Sequence, residues 1–155
     1  IVPNSSYPLL VYPGAIDAQG GDLASAIEDV FAKNTWDRSW RNGIYSFHHY
    51  HSTAHEVLGI AKGNAKVHMG GPNGVTFSIE AGDVMIIPAG VGHKNLGASA
   101  DLLVIGAYPP GPSWDLCRES TSEHGQALIN IPNVPNPSAD PVYGADGPLM
   151  NLWKR

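Results

Sequence analysis

Residues 48–56 read HHYHSTAHE and gather four of the chain's seven histidines beside a glutamate. Neutral imidazole and carboxylate are good ligands for divalent transition metals, so the stretch could hold such an ion. In an extended strand alternate residues share one face. A strand over 44–51 would put His49 and His51 on one face with Tyr45 and Phe47, and His48 and Tyr50 on the other. A short turn at 52–55 and a second strand from Glu56 would bring Glu56 back beside the two histidines. Leu58 and Ile60 would share its face, and His55 would turn away. His93 is a fourth candidate. It opens a strand after the apolar run Val84–Ile87 and the turn Pro88-Ala89-Gly90, at the mouth of a barrel strand. Spacing alone leaves two readings open. An HxH pair arises often by chance, and a lone histidine is commonly satisfied by hydrogen bonds instead of a metal.

The elements that must position these residues are mostly short strands. The patterning predicts strands at 44–51, 56–61, 65–69, 75–79, 84–87, 93–96 and 102–108, separated by Gly turns. Asn73-Gly74 between two of them is a hairpin signal. Upstream, YPLLVY (residues 7–12) reads as an edge strand because it contains Pro8. Asp22 can cap a helix over 22–34, in which Leu23, Ile27, Val30 and Phe31 recur at helical spacing. Residues 109–155 are rich in Pro, Asn and Asp. They predict a tail that wraps the barrel, with a helical turn near 120–129 and with Trp114, Tyr143 and Trp153 as anchors. Many short strands at even spacing mean an all-β sandwich or barrel.

Composition agrees and narrows the function. The 18 Gly and 13 Pro supply the turns such a fold needs. With 155 residues the expectation is one domain, 1–155. A net charge of −5 with scattered Lys and Arg offers no footprint for nucleic acid. No run reaches the roughly 18 apolar residues of a membrane span. The single cysteine, Cys117, allows no internal disulfide, so a cytoplasmic location is expected. The N-terminus lacks the basic and apolar regions of a signal peptide; it also lacks Met, so a removed leader stays open.

Two blocks resemble the motifs of the cupin superfamily. In GIYSFHHYHSTAHEVLGIAKG (43–63), Gly43, His49, His51, Glu56 and Gly63 fall in the order and spacing of the first cupin motif. In GDVMIIPAGVGH (82–93), Gly82, Pro88, Gly90 and His93 do so for the second. The short interval 64–81 is similar to that of small microbial cupins. The resemblance covers about 43–108. It implies a double-stranded β-helix, or jelly-roll, barrel with a short N-terminal helix and a Pro-rich C-terminal tail. It also implies a metal held by His49, His51, Glu56 and His93. Where the family's second motif usually carries Asn this chain has Gly97, while Asn95 lies nearer the histidine with the same strand parity.

Three neutral histidines and one glutamate would leave a divalent ion with open positions. Iron or manganese is favoured, and nickel, cobalt, copper or zinc would also fit such a shell. The resemblance implies an oxidoreductase of the dioxygenase type acting on a small organic molecule. An isomerase or lyase, or a metal or small-molecule binding module, are the alternatives. Tyr45, His68 and Asn95 are the candidates beside the ligands. His68 could serve as a general base, although an exposed strand residue is the preferred reading. Trp36, Tyr108 and Trp114 read as core or interface anchors. Cys117 has no neighbour that would activate it. Apolar outer faces suggest a homodimer.

Overall fold

Strand pairing closes the chain into two facing sheets. The computed structural model describes residues 1–154. The larger sheet runs in the order β1 (Leu10–Tyr12), β6 (Val84–Ile87), β3 (Glu56–Lys62), β8 (Leu103–Tyr108) and β2 (Arg38–Asn42). The smaller runs β5 (Val75–Glu80), β4 (Asn64–Met69) and β7 (His93–Ala98). Neighbouring strands in both sheets run antiparallel. This is the all-β, two-sheet jelly-roll architecture expected from the sequence.

The period-two pattern of the central strands explains the layering. Leu58, Ile60, Met85, Ile87 and Val104 point between the sheets and meet Ala65, Val67, Met69 and Ile79 from the smaller sheet. Their alternates Val57, Val84, Ile86, Ile105 and Ala107 face outward into a second apolar cluster, which Ile27 and Phe31 of α1 (Leu23–Lys33) cover. Both faces of β6 are therefore buried, which is why VMII carries no polar residue. Burial of each such large side chain contributes about 2 kcal/mol. The Asp22 carboxylate accepts from the Ala24 N–H and caps α1, as its position predicts.

The tail continues through α2 (Thr121–Asn130), a short turn at Ile131–Asn133 and α3 (Pro148–Leu152). Its anchors differ from expectation. Trp153 is buried, stacks on Tyr7 at 5.4 Å and donates its indole N–H to the Pro8 carbonyl. Trp114 and Tyr143 are about half exposed. A fully buried Asp140 does more: its carboxylate accepts from the Tyr12 hydroxyl and from the N–H groups of Val142, Tyr143 and Leu149. Among the described residues no helix is long and apolar enough to cross a membrane.

Three local expectations change. The hairpin at 70–74 forms, but its left-handed residues are Gly70 and Gly71, not Asn73-Gly74. Residues 38–42 form an edge strand that periodicity does not reveal, because RSWRN is polar and pairs on one side only. Residues 44–51 are not a regular strand. Only His49 and Tyr50 form isolated bridges, one to His93 and the other to Cys117. The segment lies beside β7 through His49–His93 and the Asn95 N–H to Tyr45 carbonyl bond, then turns to the tail.

Candidate metal centre

His49, His51, Glu56 and His93 come together at one end of the barrel interior. Glu56 is the first residue of β3, on the inward face it shares with Leu58 and Ile60. His93 is the first residue of β7. His49 is tied to it by reciprocal backbone bonds, and the His51 carbonyl accepts from the Gly90 N–H. The four residues are 2–7% exposed, so water reaches them only from the cavity above. One ligating atom from each histidine lies within 4.8 Å of the others. Glu56 Oε1 sits 3.3 Å from His51 Nε2 and 3.2 Å from His93 Nε2.

Backbone carbonyls orient all three rings. His49 Nδ1 donates to the Phe47 carbonyl at 3.0 Å and His93 Nδ1 to the Val91 carbonyl at 3.2 Å. His51 Nδ1 donates to the Asp115 carbonyl. A carbonyl can only accept, so each Nδ1 carries the hydrogen and the neutral ring keeps its lone pair on Nε2. Three Nε2 lone pairs and a carboxylate oxygen thus converge, and the buried His93 Nε2 has no hydrogen-bond donor of its own. That donor set fits a divalent cation.

The electrostatics show what the cluster does with protons. Burial, followed by the neighbouring His93, pushes His49 down to about 3, so it stays neutral. Burial also disfavours charge on His51, but the Glu56 carboxylate outweighs it and lifts His51 to about 9. Burial favours a neutral Glu56, yet His51 and His93 hold its carboxyl well below the usual carboxylate range. Without a metal, a proton between His51 and Glu56 fills part of the space that a cation would occupy.

A second layer fixes Glu56. The Tyr108 hydroxyl donates to Glu56 Oε2 at 2.6 Å, leaving Oε1 for the histidines. Burial and the Glu56 charge push the Tyr108 phenol well above its ordinary range, so it remains a donor. Trp40 donates its indole N–H to the Tyr108 oxygen at 3.2 Å, and Trp114 stacks on the Tyr108 ring at 4.4 Å. The Trp40 ring can lie there because position 106 is glycine: a Cβ would fall 2.1 Å from its Cε2. The Asp115 side chain accepts from Ser52 and Thr53 and so holds the loop next to His51. Tyr108, Trp40 and Asp115 escape the sequence reading. The first two look like core aromatics, and the carbonyl of Asp115 has no residue signature.

The other candidates separate. Tyr45 lines the cavity mouth, half exposed, with its ring 5.1 Å from that of His49. His68 does not reach the cavity. It shares the outer face of β4 with Asn64 and Lys66, bonding Thr76 Oγ1 and the Gly71 carbonyl, so a general-base role there is ruled out by direction. Asn95 turns its carboxamide oxygen to the Gly97 N–H and is not part of the cavity wall. His48 lies outside the cluster, 5.3 Å from His68. His55 accepts from the Ala89 N–H in the core, away from the cavity. The cavity itself encloses about 410 Å³.

Known proteins place this architecture. The family model described as Cupin matches residues 39–108, from β2 to the end of β8. The uncharacterized protein YjlB of Bacillus subtilis (strain 168) is 37% identical over 153 residues, which is 98% of this chain and 90% of that protein. Similar solved structures include an acireductone dioxygenase from Bacillus anthracis with a cadmium ion in its active centre. It is 14% identical, covering 69% of this chain and 82% of that one, with a TM-score of 0.45. A DUF861 family protein from Thermotoga maritima is 19% identical, covering 64% and 97%, with a TM-score of 0.40. The matched segment contains both motif blocks, the three clustered histidines and Glu56, and the chain belongs to the cupin superfamily as one of its small members.

Proposed function

We propose that this protein is a metal-dependent oxidoreductase of the dioxygenase type acting on a small organic molecule. His49, His51, His93 and Glu56 would hold one divalent transition ion, iron or manganese before the others. The observation that supports the ligand assignment is the set of three Nδ1–carbonyl bonds, which in the neutral rings leaves each Nε2 free to ligate, with one ligating atom of each histidine within 4.8 Å of the others and Glu56 Oε1 beside those of His51 and His93. When bound, a redox-active ion there supplies open positions and electron transfer to substrate and O₂.

The chain's own residues supply the rest. Tyr108 holds Glu56 by one oxygen. Leu58 and Trp40 keep bulk water from the floor of the cavity. Among the described residues, no Asp, Lys or further Glu or His lines the wall outside His49, His51, Glu56 and His93. A lyase or isomerase normally needs a positioned base; Tyr108 stays protonated and Arg41 cannot deprotonate, which leaves the half-exposed Tyr45 at the mouth. This favours redox chemistry over proton abstraction.

Metal analysis of tag-free, chelator-free protein beside Glu56→Ala tests the reading. About one iron or manganese per chain, lost in the variant, with O₂ uptake on adding phenols or diketones, is expected. Zinc or nickel with anaerobic turnover would replace it by the lyase or isomerase reading. No metal uptake on reconstitution would remove the metal assignment altogether.

A further inference from the structure

On the reading of the site just given, we infer that the cavity selects a small, largely apolar molecule. It carries its oxygen donors at the end that faces the histidines. Phosphorylated and other polyanionic compounds are excluded. The volume of about 410 Å³ lies at the lower end of the roughly 300–1,000 Å³ usual for small-molecule sites. The walls are lined by Trp40, Leu58 and Tyr108, with the half-exposed Tyr45, Trp114 and Leu116 at the mouth. Tyr108 and Trp114 stack on each other at 4.4 Å, so they present one continuous apolar wall with no slot between the rings. Trp114 and Leu116 each remain 46% exposed at the opening, so apolar surface is held there for a ligand to cover.

The buried polar side chains of the wall are already engaged, and the exposed Tyr45 and Asn42 lie at its rim. The Trp40 N–H goes to Tyr108, the Tyr108 hydroxyl goes to Glu56, and Asn42 Oδ1 accepts from the Gly43 N–H. A sugar would leave most of its buried hydroxyls without partners, and each buried unpaired hydroxyl costs binding free energy. The charges point the same way. Among the described residues Arg41 is the only cation in the wall, and Glu28 of α1 grips its Nε at 3.0 Å and Nη2 at 2.7 Å. The nearby Arg38 spends its guanidinium on the Pro109 and Pro112 carbonyls, and Arg118 lies over the Phe47 ring at 3.7 Å. Among the described residues, a phosphate dianion in the cavity would meet no unengaged guanidinium or ammonium in the walls.

Quenching of tryptophan fluorescence measures this without turnover. The probes are para-nitrobenzyl alcohol, para-nitrobenzyl phosphate and nitrocatechol, each titrated into chelator-treated and metal-loaded protein. The alcohol should quench saturably in both forms. The phosphate should bind at least about tenfold more weakly. Trp114→Ala should weaken the alcohol about tenfold, the loss of one stacking partner and its area. Glu28→Gln, on the surface and outside the site, should free Arg41 and narrow the gap between alcohol and phosphate. Equal or tighter binding of the phosphate by the unaltered protein would overturn the proposal, as would a Trp114→Ala variant with unchanged affinity for the alcohol. Nitrocatechol reads the metal separately. If loading adds nothing to its affinity while the alcohol behaves as expected, the ligand assignment fails and the wall's selectivity stands.

Discussion

Tyr108→Phe isolates one oxygen atom in the second layer of the centre. The substitution keeps the ring, so the 4.4 Å stack on Trp114 persists. It removes the 2.6 Å hydrogen bond to Glu56 Oε2. Glu56 is 2% exposed, so no water replaces that donor, and the carboxylate can rotate away from His51 and His93. A hydrogen bond to a charged partner is worth about 1.5–3 kcal/mol. Loss of an outer partner of a metal ligand typically costs about 10–100-fold in affinity, which is the same range. Metal affinity measured by competition with a chelator should therefore fall about 10–100-fold. The indole N–H of Trp40 also loses its acceptor, which adds about 1 kcal/mol to the stability loss of the metal-free protein. Denaturant melts of stripped and loaded protein separate the two effects. The loaded protein should lose more than the stripped one. If chelator competition is unchanged while Glu56→Ala abolishes binding, Tyr108 packs but does not hold Glu56, and the reasoning is refuted.

Further outcomes follow from the same geometry. Asp115→Ala removes the acceptor of Ser52 and Thr53, so it should lower unfolding free energy by about 2 kcal/mol and weaken metal binding through His51; an unchanged melt would show that the loop holds itself. His68→Ala should leave metal content unaltered and cost about 1 kcal/mol, and any drop in metal stoichiometry would contradict its outer-face placement. Gly106→Ala should displace the Trp40 ring, destabilise by about 1–3 kcal/mol and alter tryptophan emission, and an unperturbed spectrum would contradict the contact. For chelator-stripped protein, His49 lies near 3 when folded and near the ordinary 6.5 when unfolded. The unfolded chain binds its proton first, so stability should fall as pH drops from 6.5 towards 3, by up to about 1.4 kcal/mol per pH unit. His51 acts oppositely: its contribution is complete below about 6.5 and is lost as pH rises through about 9. Urea melts across this range, with His49→Ala flattening the acid limb, test both signs.

The legible part of this protein is what local periodicity encodes. Strands buried on one or both faces, such as Glu56–Lys62 and Val84–Ile87, announce themselves by alternation or by an unbroken apolar run. The four clustered residues stand out because histidine and glutamate are rare on an inward face. The edge strand at Arg38–Asn42 does not stand out, since one-sided pairing demands no apolar pattern. Residues 44–51 mislead for a related reason. Their alternation is real, but the His49 ring bonds back to Phe47, and backbone bonds to Cys117 draw Tyr50 towards the tail, so no continuous ladder forms. Tyr108 is hidden because its partner Glu56 is brought close only by the β3–β8 register, a pairing between strands far apart in the chain.

The three ring-orienting bonds divide along the same line, and that division says what the tail is for. His49 and His93 each bond the carbonyl two residues earlier, so their orientation is built into the local chain. His51 instead depends on Asp115, separated from it by 64 positions and lying beyond the last barrel strand. The barrel alone can therefore aim two imidazoles and Glu56, and the third ring is aimed from residues 109–117. The same segment carries Trp114 and Leu116, which form part of the cavity mouth, and Cys117, whose backbone pairs with Tyr50. One stretch outside the barrel thus orients a ligand and shapes the opening together. A change that loosens it should affect metal affinity and ligand selection in parallel, where a change at Leu58 or Trp40 should affect selection first.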